Sequence, residues 1–227
     1  MSAIGLINHS IFEIVLKATL NFYGKYAEPI LGNKIVSEIN TLWNAPQTII
    51  SVNQINYSIN FDIDFRCLTN SEVLSLIYQN ADYAQNFIRI EDKNVAERSM
   101  MGFGLGENSG HWLISDQLGD STTAAHEFGH ALGLAHPDEI DYRNTGMPPI
   151  MAPRGTFVDS EYQWNPLAEV GAFGGTMRPI WRRVRGYEVQ EIFKGVEIET
   201  QEVIPIGVLK NQLFDEIGRP SSILFQA

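Results

Sequence analysis

Three histidines, a glutamate and a glycine fall within one eleven-residue stretch, His126-Glu127-Phe128-Gly129-His130-Ala131-Leu132-Gly133-Leu134-Ala135-His136. Two histidines four apart on a helix lie one turn above each other, so their imidazoles can converge on one point. Neutral imidazole is a good zinc ligand, and a catalytic zinc usually takes three protein ligands and leaves its fourth position to water. Gly133 stands three residues after His130, where the chain must leave the helix, through a positive φ. That turn brings His136 back as the third ligand. His126, His130 and His136 are therefore the candidate ligands of a single Zn2+. Glu127, beside His126, is the candidate catalytic residue, a general base that returns the proton as a general acid.

The elements that must position these residues can be read from periodicity. Small residues and the absence of proline predict a helix over 121–132. Upstream, Ser10 and Glu13 form a capping-box pair, and Ile11, Ile14, Val15, Ala18 and Phe22 recur at helical spacing, which predicts an amphipathic helix over 10–26. A second helix is expected over 33–44, with Ile35, Ile39, Leu42 and Trp43 on one stripe and Pro46 beyond its end. Residues 55–67 alternate apolar and polar without a break, the pattern of a strand with one buried face. A short helix over 71–81 and a strand over 87–90 follow. Two extended pieces, 100–105 and 111–115, flank a glycine-bounded hairpin. Beyond residue 136 prolines and glycines mark a loop-rich segment that holds one helix, 187–194. Alternation around Val196, Ile198, Val203 and Ile206 predicts further strands or a tail that packs back. The fold class is α+β.

The eleven-residue stretch resembles the zinc signature of the metzincin metallopeptidases, H-E-x-x-H-x-x-G-x-x-H. That family adds a tight turn whose methionine forms an apolar floor under the metal. Pro149-Ile150-Met151-Ala152-Pro153 fits this Met-turn, with Met151 as its methionine; Met147, followed by two prolines, is the weaker candidate. Gly133-Leu134-Ala135-His136-Pro137 is similar to the serralysin and matrixin branches, and Met151-Ala152-Pro153 to the matrixin turn. Pro153 occupies the position where astacins and serralysins carry a tyrosine, so that role is not transferred, and the calcium-binding repeats of serralysins are missing. The close resemblance covers about thirty residues.

What the resemblance implies is a zinc endopeptidase acting on protein or peptide substrates, of a compact effector or toxin type. Its fold would have a twisted, mostly parallel sheet with an antiparallel edge strand, a backing helix and an active-site helix. Residues 1–136 would form an upper subdomain, 137–200 a lower one with the Met-turn, and 201–227 a C-terminal extension, all within a single catalytic domain spanning 1–227. Substrate would lie antiparallel to the edge at 100–105, which makes Gly102, Phe103 and Gly104 candidate substrate-binding residues. Tyr142 and Tyr162 are candidates for an additional oxyanion donor. Residues 1–30 precede the first element matched and are a candidate cover for the cleft. The competing reading is a zinc-binding but catalytically inactive binding or inhibitory protein, against which the retained Glu127 argues.

Composition narrows the remaining classes. Sixteen Lys+Arg against twenty-seven Asp+Glu give a net charge of −11, opposite to what nucleic acid or an anionic membrane surface demands. No apolar run approaches the roughly 20 residues of a membrane span. The single cysteine excludes an internal disulfide, and Cys67 falls on the apolar side of the 55–67 strand. His111 reads as structural. Asp62 and Asp64 share the solvated face of that strand, too few carboxylates for a Ca2+ site. Arg178, Arg182, Arg183 and Arg185 concentrate positive charge in an acidic chain and could dock an acidic partner or substrate, but they read first as a hydrated surface run. The apolar stretch 11–20 is interrupted by Glu13 and Lys17, so no Sec-type leader is expected. The expectation is a monomer, cytoplasmic or exported by another route, with a delivery or immunity partner in the second case.

Overall fold

The computed structural model describes residues 2–221. Its elements run β1 (Ala3–Asn8), β2 (Glu13–Tyr23), α1 (Pro29–Asn44), β3 (Ile49–Val52), β4 (Ile55–Cys67), α2 (Asn70–Tyr78), β5 (Gln85–Glu91), β6 (Met100–Met101), β7 (Ser109–Leu113), α3 (Thr123–Ala131), α4 (Gly186–Ile192) and β8 (Val203–Ile206). One curled mixed sheet holds all the strands, in the order β3-β4-β2-β5-β7-β6, and β1 joins β2 to β8. The pairs β4·β2, β2·β5 and β5·β7 are parallel; β3·β4, β6·β7, β1·β2 and β1·β8 are antiparallel. The α+β class holds, whereas "mostly parallel with one antiparallel edge" describes only the centre of this sheet.

The N-terminal segment departs most from expectation. Residues 10–26 are not a helix; they are the end of a hairpin and the central strand β2. Ile14, Leu16, Ala18, Leu20 and Phe22 are all buried, a period-two series that the helical matches at Ile14, Ala18 and Phe22 also satisfy. Branched Val15 and Thr19 favour the extended chain. The supposed capping box is a turn, in which the Asn8 side chain accepts the Ser10 N–H at 3.0 Å and Phe12 takes φ +54°. β2 pairs with β4 along its whole length, from Glu13↔Ser58 to Phe22↔Cys67. On its other side it pairs first with β1 and then with β5. Residues 3–8 and 13–23 thus lie inside the sheet, which removes them as a cover for the cleft.

The 55–67 alternation is β4 at the expected bounds, with Tyr57, Ile59, Phe61 and Ile63 buried. β3 covers only the start of its outer edge, and α1 covers the next part. Asn40 accepts the Ile63 N–H and donates to the Ile63 carbonyl, and Asn44 does the same for Phe61. Four residues of helix rise about 6 Å and two of strand about 6.6 Å, so the two asparagines match alternate strand residues and satisfy an edge that would otherwise be open. Ile35, Ile39 and Trp43, on another face of α1, are buried in the main core.

Strand β6 stops after Met101, four residues short of expectation. Gly102 takes φ +60°, and the Glu107 carboxylate folds back to accept the Phe103 N–H at 3.1 Å, so the chain bends away. The alternation near the C-terminus yields β8, which pairs with β1 from Ala3↔Ile206 to Leu6↔Val203. Residues 222–227 of the expected extension lie outside the described residues. No helix among the described residues is long and apolar enough to cross a membrane.

Candidate metal centre

Helix α3 is made of small residues because it is buried on nearly every side: Thr123, Ala124, Ala125, Gly129 and Ala131 are all buried. Thr122 precedes it at φ +72° with no side-chain cap. The missing cap is supplied by α1, whose Glu38 carboxylate accepts the Ala125 N–H at 2.9 Å. Trp43 of the same helix donates its indole N–H to the Ala125 carbonyl at 3.1 Å and meets Phe128 edge-on. At the other end Gly133 takes φ +95°, as its position requires. The Gly133 N–H bonds to the His130 carbonyl and the Leu134 N–H to the Gly129 carbonyl, both at 3.0 Å. The chain then turns back and delivers His136.

The three histidines converge. His136 Nε2 lies 3.1 Å from both His130 Nε2 and His126 Nε2, and the ligand atoms of all three fall within 4.8 Å of one another. His126 Nδ1–H donates to the Ile150 carbonyl at 2.7 Å and His130 Nδ1–H to the Leu134 carbonyl at 2.8 Å. Those bonds commit the proton of each ring to Nδ1 and leave Nε2 as a lone pair. His136 has one Nε2 and can donate to at most one of two facing lone pairs. At least one pair of imidazole nitrogens therefore meets without a proton between them, an arrangement that a cation resolves. Two nitrogens on a tetrahedral zinc stand about 3.3 Å apart, close to the separations found. The three-histidine group can hold a metal ion, and it is the one such group of His, Cys, Asp or Glu side chains among the described residues.

The candidate Met-turn segment, 149–153, packs against the histidine helix. Ile150 supplies the carbonyl that orients His126, and Met151 is buried with its sulfur against Gly129, where an added Cβ would sit 2.3 Å from Sδ. The turn is held by a buried carboxylate that sequence reading missed: Glu188 of α4 accepts the N–H groups of Ile150, Met151 and Arg185 at 3.2, 2.9 and 2.8 Å. Met147, the weaker candidate, is only half-buried.

Burial sets the protonation of the site. It holds His126 well below its usual pKa, lowers His130, and brings His136 down to about 4, with the neighbouring positive charges of Arg182 and the other rings adding to the effect. All three are therefore neutral at pH 7, the form that binds a metal. Burial also raises Glu127 to about 7, opposed mainly by Arg182. Glu127 is 6% exposed and its carboxylate forms no hydrogen bond within the described residues.

Above the histidines opens a cleft of about 460 Å³, lined by Ser99 to Leu105 on one wall and by His126, Glu127, His130, His136, Pro153, Arg154 and Arg182 on the other. Gly102, Phe103 and Gly104 are on its rim, in the bend after β6 rather than in a strand. Tyr142 and Tyr162 do not line it; both pack beside the small cluster of Ala152, Val158 and Met177. His111 is buried on β7 against Asn94 and Phe214, away from the three-histidine group. Cys67 is half-buried against the main core, and Asp62 pairs with Lys17 at 2.9 Å.

The arginine run is not a hydrated surface. Arg182 is 2% exposed and faces the cleft, while Arg178, Arg183 and Arg185 are half-buried. Arg183 and Arg185 tie loops together through the carbonyls of Ile180, Arg182 and Met147, and Arg178 stacks over Trp164. Composition marks such a cluster as solvated because long charged side chains usually are. Only the interleaved Pro179, Ile180, Trp181 and Val184 hint that this stretch threads the interior.

No protein-family model matches the chain, and no curated protein is significantly similar to it.

Proposed function

We propose that this protein is a zinc-dependent endopeptidase of the metzincin kind, with His126, His130 and His136 as metal ligands and Glu127 as general base and acid. The observation that carries the reading is the convergence of three neutral imidazoles beside a carboxylate raised to about 7, at the floor of an open cleft. The all-imidazole donor set suits a first-row metal such as zinc and disfavours Ca2+ and Mg2+, and three histidines with a fourth position left to water match a catalytic zinc site. The buried methionine under Gly129 and the glycine turn before His136 support the metzincin assignment, which extends the resemblance from the motif to its surroundings.

When bound, zinc supplies Lewis acidity, acidifying a coordinated water and polarising the scissile carbonyl. The chain supplies the rest. The rim bend at 102–104 and the exposed edge of β6 offer main-chain donors and acceptors to an extended peptide. Glu127 receives the proton of the attacking water, since an unbonded carboxylate with a pKa near 7 accepts it at little cost, and passes it to the leaving amine. The carbonyls of Ile150 and Leu134 keep the rings of His126 and His130 in one tautomer throughout.

The test is elemental analysis of the purified protein together with digestion of a denatured proteome, read by mass spectrometry. One zinc per chain, lost in His130→Ala, and peptide release abolished in Glu127→Ala are expected. Zinc bound equally by wild type and Glu127→Ala, with neither releasing peptides, would instead identify an inactive zinc-binding protein.

A further inference from the structure

The molecule is acidic, yet its cleft is not. Three arginines, Arg98, Arg154 and Arg182, line it against the single carboxylate of Glu127. Arg154 is ion-paired with the buried side chain of Asp116. Arg182 has no such partner. It is 2% exposed, its Nε and Nη1 are buried without a hydrogen bond, and no ion pair or hydrogen bond to its guanidinium forms within the described residues. Burial lowers its pKa only to about 10, so it stays a cation at neutral pH. A buried cation with all its donors unspent is strongly destabilising unless something completes it.

The fold holds this residue in place. The turn Pro179–Trp181 precedes it, and the Pro179 carbonyl accepts the Thr122 hydroxyl at 2.6 Å, at the start of α3. The next residue, Arg183, donates its N–H to the Pro148 carbonyl at 2.9 Å and bridges Pro149 at the Met-turn. Arg182 is thus clamped between the N-terminus of the histidine helix and the Met-turn, and its guanidinium is preorganised beside Glu127 rather than left to wander. A planar fork of N–H groups is matched by the two coplanar oxygens of a carboxylate.

We propose that Arg182 binds a carboxylate of the substrate, so that the cleft selects peptides presenting an acidic group, either an Asp or Glu side chain or a free C-terminus, close to the bond addressed by Glu127. This inference rests on the peptidase reading for its substrate class, but not for its measurement. A glutamine in place of glutamate keeps the shape, yet sets an amide N–H₂ against the guanidinium donors and leaves the charge unneutralised. Sites built around a buried polar partner reject such analogues strongly.

The experiment is calorimetric binding of short peptides to the full-length protein, both metal-free and as zinc-loaded Glu127→Gln, so that no turnover is needed. The probes are end-blocked alanine-based hexapeptides with Glu, Asp or Gln at one internal position, and an otherwise neutral peptide with a free C-terminus. At least about tenfold tighter binding of an acidic peptide than of the Gln peptide is expected, collapsing in Arg182→Met and partly kept in Arg182→Lys. Thermal melting checks that Arg182→Met is folded before its affinities are compared. A gain confined to the free-acid peptide assigns the site to a C-terminus, and one confined to Glu or Asp assigns it to a side chain; both support the proposal. Equal affinity of wild type for acid and amide peptides overturns it, even if Arg182→Met does not fold. So does discrimination that survives in Arg182→Met. A protein that discriminates in binding yet releases no peptides would sink the peptidase reading alone.

Discussion

Glu127 is buried, and burial lifts its pKa from 4.5 to about 7. A carboxyl raised in the folded state contributes stability that is complete below its unfolded pKa and is lost as pH rises through about 7. Metal-free Glu127→Gln should therefore gain on wild type in melting temperature between about pH 5 and about pH 8, a difference that thermal scans on chelator-treated protein would read. The histidines act in the opposite sense, since their folded pKa values are depressed. Acidification below about 6.5 should weaken both the metal-free fold and zinc binding, and competition with a colorimetric chelator at stepped pH would show the affinity falling. On the proposed peptidase reading, zinc-loaded Glu127→Gln should turn over about 10²–10⁴-fold more slowly than wild type while retaining one zinc per chain.

Among the elements, the turn at 149–153 is held from α4 by one carboxylate and packs on α3 through one missing side chain. Glu188→Ala would orphan the buried N–H groups of Ile150 and Met151 and loosen the carbonyl that orients His126. A loss of about 10–100-fold in zinc affinity is expected, with a drop of at least about 2 kcal/mol in chemical unfolding. Gly129→Ala would press a methyl into Met151 and the Trp43 ring, and should cost about 1–3 kcal/mol by the same measurement. The histidine helix and β4 were legible because each carries a long, unambiguous pattern, of ligand spacing in one and of strict alternation in the other. β2 was not, since Ile14, Ala18 and Phe22 fit periods of both two and nearly four. Nothing local revealed that both its edges would be paired. Glu188 and the burial of Arg182 were illegible for a related reason: a charged residue reads as solvated until the fold shows what surrounds it.

For the molecule as a whole, the long-range fact is that Ser2 and residues 207–208, far apart in sequence, meet at Gly106 beside the histidine helix. Gly106 donates its N–H to the His130 carbonyl, and its own carbonyl accepts from the Ser2 hydroxyl and the Val208 N–H. Gly207, at φ +88°, passes so close that an added Cβ would stand 2.6 Å from the Gly106 oxygen and 2.8 Å from that of Ala131. Gly207→Ala should destabilise the protein by about 1–3 kcal/mol, and lower zinc occupancy as well, which melting curves and metal analysis on the same sample would separate from a purely remote effect. A nascent chain cannot complete this junction until residues 203–208 have left the ribosome and closed against β1. A chain truncated before residue 203 would carry His126, His130, His136 and Glu127 and still lack the clasp that closes on Gly106, beside the carbonyl of His130.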